Sequence, residues 1–410
     1  MLRHRFLIAV SGSLILLGAA TATSQTALPR TSGKLAGGDD PVRIVCFGDS
    51  ITGVYYHTGG KRAYPEMLEI ALRRLYLRAK IQVINAGISG HNTRHALARI
   101  ERDVLKHKPQ LVTVMFGMND LVAVPLAEFQ TNMEKLIARC RAANAEVLLC
   151  TQNAVLDNPG RPDKKLDEFT RTIRAIARQQ KLAVADCNQA YRAVRARDAK
   201  EFRLLMSDEI HPNMDGHKLL AEVIATTISG KEVSLADVPT PRPAIPRTLS
   251  LIRAGKPVKV LAMPPYDKLI APALMKLDAG AKVEVTTWPI DGQPLTQIEA
   301  YARKVRKMGT DLVVIAVPVD SRVNADEELI RSFSWVMNWS LSFARQEWDC
   351  IAIPPSTATP KLTDAERRRD QLFRRLIHAQ HIDTVPREAS DERPIHELLV
   401  HWLKEQAKQP

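Results

Sequence analysis

Short apolar runs alternate with longer amphipathic stretches along most of this chain. Residues 42–47 form an apolar run that stops at Gly48, as a strand covered on both faces does. Residues 64–78 then show helical spacing, with Met67, Ile70, Ala71 and Leu75 on one side. The rhythm repeats. It predicts strands over 81–86, 111–116, 147–150 and 182–186. It predicts helices over 93–107, 126–143, 166–180 and from about Asp215 to Ile228, with Pro109 stopping the first of these. Strands alternating with helices imply a parallel sheet with helices on both faces, a three-layer α/β/α arrangement.

Two stretches break the pattern. Residues 32–40 are polar and glycine-rich, so 25–41 read as a flexible N-terminal segment. Between Val238 and Pro246, four prolines fall in nine residues, which neither a helix nor a central strand tolerates. Residues 231–255 therefore read as a semi-rigid linker. Beyond it the rhythm resumes, predicting a second α/β domain over 256–408. Val42-Arg43-Ile44-Val45 matches Val258-Lys259-Val260-Leu261, Ile88-Ser89-Gly90 matches Ile290-Asp291-Gly292, and Leu111-Val112 matches Leu312-Val313. Cys150 falls opposite the apolar run 348–354. The separations are nearly constant after the first strand, where the second half lacks a loop equivalent to 53–64. Either the fold is duplicated, or two α/β domains merely share a rhythm.

Composition narrows the setting. Arg3 and Arg5 precede an apolar run from Phe6 to Ala20, then small residues at Ala20-Thr21-Ala22. Residues 1–24 read as a signal peptide, with an uncleaved anchor as the alternative, and imply a periplasmic or secreted protein. No cysteine follows the run, which argues against a lipoprotein anchor, and no later segment is apolar enough to span a bilayer. The 410 residues suit two or three domains. The net charge of +13, two units of which come from Arg3 and Arg5, favours anionic partners or simply a solvated basic surface. The basic residues are scattered without interleaved aromatics, so no specific nucleic acid partner is expected. The five cysteines are Cys46, Cys140, Cys150, Cys187 and Cys350; no disulfide framework or metal cluster is expected, since no Cys-x-x-Cys occurs. Cys46, Cys150 and Cys350 sit in strand-like runs and read as small buried hydrophobes.

The chemistry gathers in the first half. A serine hydroxyl needs a base, usually histidine, and the histidine needs an acidic partner. Asp208 and His211 offer both from one loop, Ser207-Asp208-Glu209-Ile210-His211-Pro212. Ser50, in Gly48-Asp49-Ser50, lies just after the first strand, at the edge where open α/β sheets bind ligands. Each motif alone also suits a simple turn.

Four blocks together resemble the SGNH hydrolases, also called the GDSL esterase/lipase family, over residues 42–228. They are Phe47-Gly48-Asp49-Ser50-Ile51-Thr52, Asn85-Ala86-Gly87-Ile88-Ser89-Gly90-His91-Asn92-Thr93, Phe116-Gly117-Met118-Asn119-Asp120 and Asp208-Glu209-Ile210-His211-Pro212. The resemblance implies a flavodoxin-like five-stranded sheet and a catalytic esterase domain over 42–230. It implies Ser50 as nucleophile, His211 as general base and Asp208 as its partner. It also implies an oxyanion hole from the N–H groups of Ser50 and Gly90 and the side-chain amide of Asn119, with no metal or cofactor. Asp49 and Asp120 read as structural.

The loop Tyr55-Tyr56-His57-Thr58-Gly59-Gly60-Lys61-Arg62 follows the nucleophile. Its Tyr55, Tyr56, His57, Lys61 and Arg62 either bind a sugar or an anionic group, or only pack over the site. Carried to the second half, Ser50 falls at Tyr266, Asp49 at Pro265, Gly90 at Gly292 and Asn119 at Asp320; Asp391 and His396 lack the Asp-x-x-His spacing. The second domain is expected to be a degenerate, non-catalytic SGNH-like copy. The expected function is an exported serine esterase removing O-acetyl groups from carbohydrate through an acyl-serine intermediate. The substrate is then a small-molecule or polysaccharide ester. A lipid or lysophospholipid esterase and a non-catalytic glycan-binding protein are the alternatives.

Overall fold

A computed structural model describes residues 28–343, 346–388 and 390–409. The predicted signal peptide lies outside these. Among the described residues, no helix is long and apolar enough to cross a membrane.

The first half folds on a parallel sheet of β1 (Val42–Gly48), β2 (Ile81–Gly87), β3 (Leu111–Met115), β4 (Glu146–Cys150) and β5 (Ala183–Ala185), in the order β2-β1-β3-β4-β5. This is the flavodoxin-like order. Strand β3 is buried throughout and β1 nearly so, which is why they read as continuous apolar runs. The strand and helix predictions hold to within a few residues. Among the helices that went unread are Cys187–Arg197 and Ala199–Leu204, anchored by buried Tyr191 and Phe202. They carry the chain from β5 to the Asp208–His211 loop.

The second half holds β6 (Val258–Ala262), β7 (Val283–Thr287), β8 (Leu312–Ile315) and β9 (Asp349–Ala352), all parallel, in the order β7-β6-β8-β9. That is the order of the first four strands again. The registers correspond as well: Ile44 pairs with Leu111 and Val260 with Leu312, while Leu111 pairs with Glu146 and Leu312 with Asp349. Where β5 lies against β4, a single parallel bridge joins Ile351 to Asp383. Each sheet has its own core.

Two segment readings need correction. Residues 25–41 are not flexible throughout: Pro29–Gly37 is a helix that buries Thr31 and Leu35. Glu146 at the start of β4 accepts from the backbone N–H of Arg30 (3.0 Å) and Thr31 (2.7 Å) and from the Thr31 hydroxyl (2.6 Å). Nor is 231–255 all linker. Leu235 and Val238 belong to the first core, and Ala244, Ile245, Leu249 and Ile252 to the second. The helix Pro246–Arg253 starts as its counterpart does: Asp349 at the start of β9 accepts from the N–H of Arg247 (3.3 Å) and Thr248 (2.7 Å) and from the Thr248 hydroxyl (2.7 Å). The connection proper is about residues 239–243.

Candidate active site

The site is built where the strand order turns, at the carboxyl ends of β2, β1 and β3. The chain leaves β1 in a tight turn. The Asp49 carbonyl accepts from the N–H of Thr52 and Gly53, and its carboxylate from the N–H of Ile51 (2.9 Å), so Ser50 sits at the apex. Gly48 has no room for a side chain, since a Cβ would lie 2.0 Å from the Thr52 hydroxyl oxygen. Buried Arg99 donates to the carbonyls of Gly48 (2.8 Å) and Ala86 (2.9 Å), tying the ends of β1 and β2 together.

The second part comes from the loop before the helix Met214–Ser229. Its close spacing has a geometric cause. One carboxylate oxygen of Asp208, Oδ1, accepts from the N–H of Ile210 (2.8 Å) and His211 (2.7 Å), curling the loop. The other, Oδ2, is thereby aimed at His211 Nδ1, 2.8 Å away. On the far edge of the ring, His211 Nε2 lies 2.9 Å from Ser50 Oγ. Asp208 can only accept, so Nδ1 carries the proton and Nε2 is left to receive one from Ser50. All three side chains are buried.

Burial disfavours charge on Asp208, but the adjacent His211 and hydrogen bonds from His211 and Tyr56 outweigh it and hold the carboxyl well below its ordinary range. Burial likewise works against charge on His211, and the Asp208 carboxylate prevails, raising its basicity. Asp49 is different. Burial pushes it up to about 7, against the Ile51 hydrogen bond. Behind His211 two further imidazoles are stacked, with His57 at 4.5 Å between ring centroids and His217 another 5.5 Å beyond. Burial keeps both neutral, lowering His217 to about 3.

Gly90 and Asn119 reach the same rim from the ends of β2 and β3. Gly90 has φ +76°, a conformation that favours glycine. Asn119 is held in place: Nδ2 donates to the His91 carbonyl (3.0 Å) and Oδ1 accepts from Arg161 (3.2 Å). Asp120 accepts from the N–H of Thr93 (2.9 Å).

In the loop after Ser50, the residues assigned to substrate all make contacts within the protein. His57 is wholly buried in the imidazole stack. Lys61 is paired with Asp383 (3.1 Å), and Arg62 donates to the Pro239 carbonyl (3.2 Å). The Tyr55 hydroxyl accepts from the Ser89 N–H (2.8 Å), and the Tyr56 hydroxyl donates to Asp208 Oδ2 (2.6 Å). The loop packs against the site and the second half. Residues of that half approach the site unforeseen: Arg306, Asn338 and Gln380, the last donating to the His57 carbonyl (2.5 Å). Nothing in the local sequence signals contacts between residues so far apart along the chain. In the second half, Tyr266 is buried, Gly292 keeps a left-handed φ of +66°, and Asp320 is exposed.

Residues 46–219 match the model of the GDSL-like lipase/acylhydrolase family. The acetylxylan esterase of Geobacillus stearothermophilus is 28% identical over 171 residues, covering 38% of this chain and 76% of that protein. An isoamyl acetate-hydrolyzing esterase 1 homolog of Bos taurus is 26% identical over 216 residues, covering 47% and 84%. Among solved structures, a lipase/acylhydrolase from Enterococcus faecalis aligns with TM-score 0.40 at 26% identity, covering 47% of this chain and 97% of the other. With the four sequence blocks and the sheet order, the match identifies residues 46–219 as a domain of the GDSL-like lipase/acylhydrolase family, the SGNH hydrolases, and the protein as a carboxylic-ester hydrolase.

Proposed function

We propose that the first half hydrolyses acyl esters, O-acetyl groups on carbohydrate in particular, through an acyl-Ser50 intermediate. The observation that carries this is the unbroken chain of contacts from Ser50 Oγ through both nitrogens of His211 to Asp208 Oδ2. In this reading Ser50 Oγ attacks the ester carbonyl as its proton passes to His211 Nε2. The negative oxygen is met by the N–H groups of Ser50 and Gly90 and the Asn119 amide, each such donor being worth about 3 kcal/mol. Collapse breaks the ester bond, and His211 returns the proton to the departing alcohol. Water then repeats the sequence on acyl-Ser50, releasing the acid.

Acetyl as the acyl group draws on the names of two relatives, an acetylxylan esterase and an isoamyl acetate-hydrolyzing esterase. Carbohydrate as the alcohol draws on the first of these and on the export signal read in residues 1–24. The second half is, in the same proposal, a degenerate copy of the first without its own chemistry. Matching strand order, matching register and the two like-capped Pro-Arg-Thr helices support descent from one fold.

A serine-directed fluorophosphonate tests the chemistry. Labelling of the wild type and not of Ser50→Ala is expected, together with Ser50-dependent acetate release from acetylated oligosaccharides. Labelling of neither protein would favour a glycan-binding role. Turnover confined to long-chain acyl esters would overturn the acetyl assignment.

A further inference from the structure

The second half touches the acid–base loop directly. Asn338, buried in the helix Asp326–Ser340, holds Ser207 by two hydrogen bonds: Ser207 Oγ donates to Oδ1 (2.7 Å) and Nδ2 donates to the Ser207 carbonyl (2.9 Å). Ser207 is the neighbour of Asp208. Arg306 donates to the Asn338 carbonyl (2.8 Å) and lays its guanidinium 5.1 Å from the Tyr56 ring centroid and 4.6 Å from that of Trp339. Tyr56 also stacks on Trp335, with ring centroids 6.5 Å apart. The Tyr56 hydroxyl donates to Asp208 Oδ2 at 2.6 Å and lies 3.2 Å from His211 Nδ1. The oxygen that orients the base is thus shared between two donors, and both elements bearing them are gripped by the second half.

We propose that Tyr56 is a positioning residue of the Asp208–His211 pair, kept on Asp208 Oδ2 by Arg306 and Asn338 of the second half. This rests on the catalytic reading of Ser50, His211 and Asp208 given above. The shared oxygen has a chemical consequence. A hydroxyl bonded to the carboxylate draws off part of its charge, so Asp208 pulls less strongly on the imidazolium. The other groups facing His211 are Asp49, Arg161 and the neutral imidazoles of His57 and His217; those facing Tyr56 are Asp208, Glu209 and Arg306.

The test uses the full chain. Tyr56→Phe keeps the ring stack and removes the hydroxyl. It should lower kcat about tenfold, the scale of one hydrogen bond to a charged group, with KM nearly unchanged. The acid limb of the rate profile should move to higher pH, because Asp208 then holds the protonated His211 more strongly. Arg306→Met should change kcat in the same direction, and should add little in the Tyr56→Phe background. A thermal melt of each variant separates these effects from misfolding, and either single variant supplies a reading if the other is unstable. An unmoved limb with only KM raised would make Tyr56 a substrate contact and overturn the inference. Additive losses would remove Arg306 from it. Labelling that survives Ser50→Ala would instead sink the catalytic reading itself.

Discussion

The two oxygens of Asp208 have separate tasks, one curling its loop and one orienting His211. An amide at this position can keep part of the loop geometry while losing the charge. Asp208→Asn should therefore lower kcat by roughly 10³ to 10⁴, as a mis-set imidazole does in other serine hydrolases. The acid limb should shift to lower pH, because His211 loses the carboxylate that raises its basicity. Asp49 makes the opposite case. Its folded-state value of about 7 lies above that of an unfolded aspartate, so the folded protein holds the extra proton. Its contribution to stability is full below about pH 4 and is lost as pH rises toward 7, by about 4 kcal/mol across that window. Asp49→Asn should flatten this slope, which urea midpoints at pH 4.5 and 7.5 would measure; an unaltered slope would rule out Asp49 as its source. That Ser50, His211 and Asp208 come together was legible, because two of them lie three positions apart and the third follows a strand. The fate of Lys61 and Arg62 was not, because Asp383 and Pro239 are remote in sequence.

At the scale of elements, the two missed lead-in helices are the instructive case. At nine and eight residues they are too short to be stable alone, and glycine in one and proline near both obscured them. What makes them helices is an acid at the head of a distant strand, Glu146 for one and Asp349 for the other. Propensity along the chain carries no trace of that partner. Thr248→Val removes a buried hydroxyl donor to Asp349 without changing shape, and should cost about 1–3 kcal/mol. Thr31→Val should cost a similar amount through Glu146. Denaturant titration of both variants would check this, and no loss in either would show that the caps contribute nothing. The strands of the first sheet, by contrast, were readable, since apolar runs bounded by turns need no remote partner to be recognised, whereas the half-exposed Val283–Thr287 strand is not such a run and was not read.

For the whole molecule, the position of the second half decides what a truncation does. A chain ending at Gly230 would also lose Leu235 and Val238 from the first core. Ending at Val238 keeps that core and removes Arg306, Asn338, Gln380 and Asp383 together. The shorter chain should remain folded by circular dichroism yet lose at least about tenfold in kcat, because its acid–base loop and the loop after Ser50 are released together. Full activity in that chain would mean the second half is a passenger.

One difference between the halves bears on assembly. From the end of β1 the chain runs through a long loop before the helix Tyr64–Leu75, whereas the helix Tyr266–Met275 begins almost at once after β6. The longer loop is the one that reaches across to the other half. Contacts of this kind, a feature of one unit seated on a different face of a like unit, can in principle be repeated without end and build a fibre. Between β6 and the helix Tyr266–Met275 there is no such arm, so the contact that the first half makes on the second is one the second cannot make in turn.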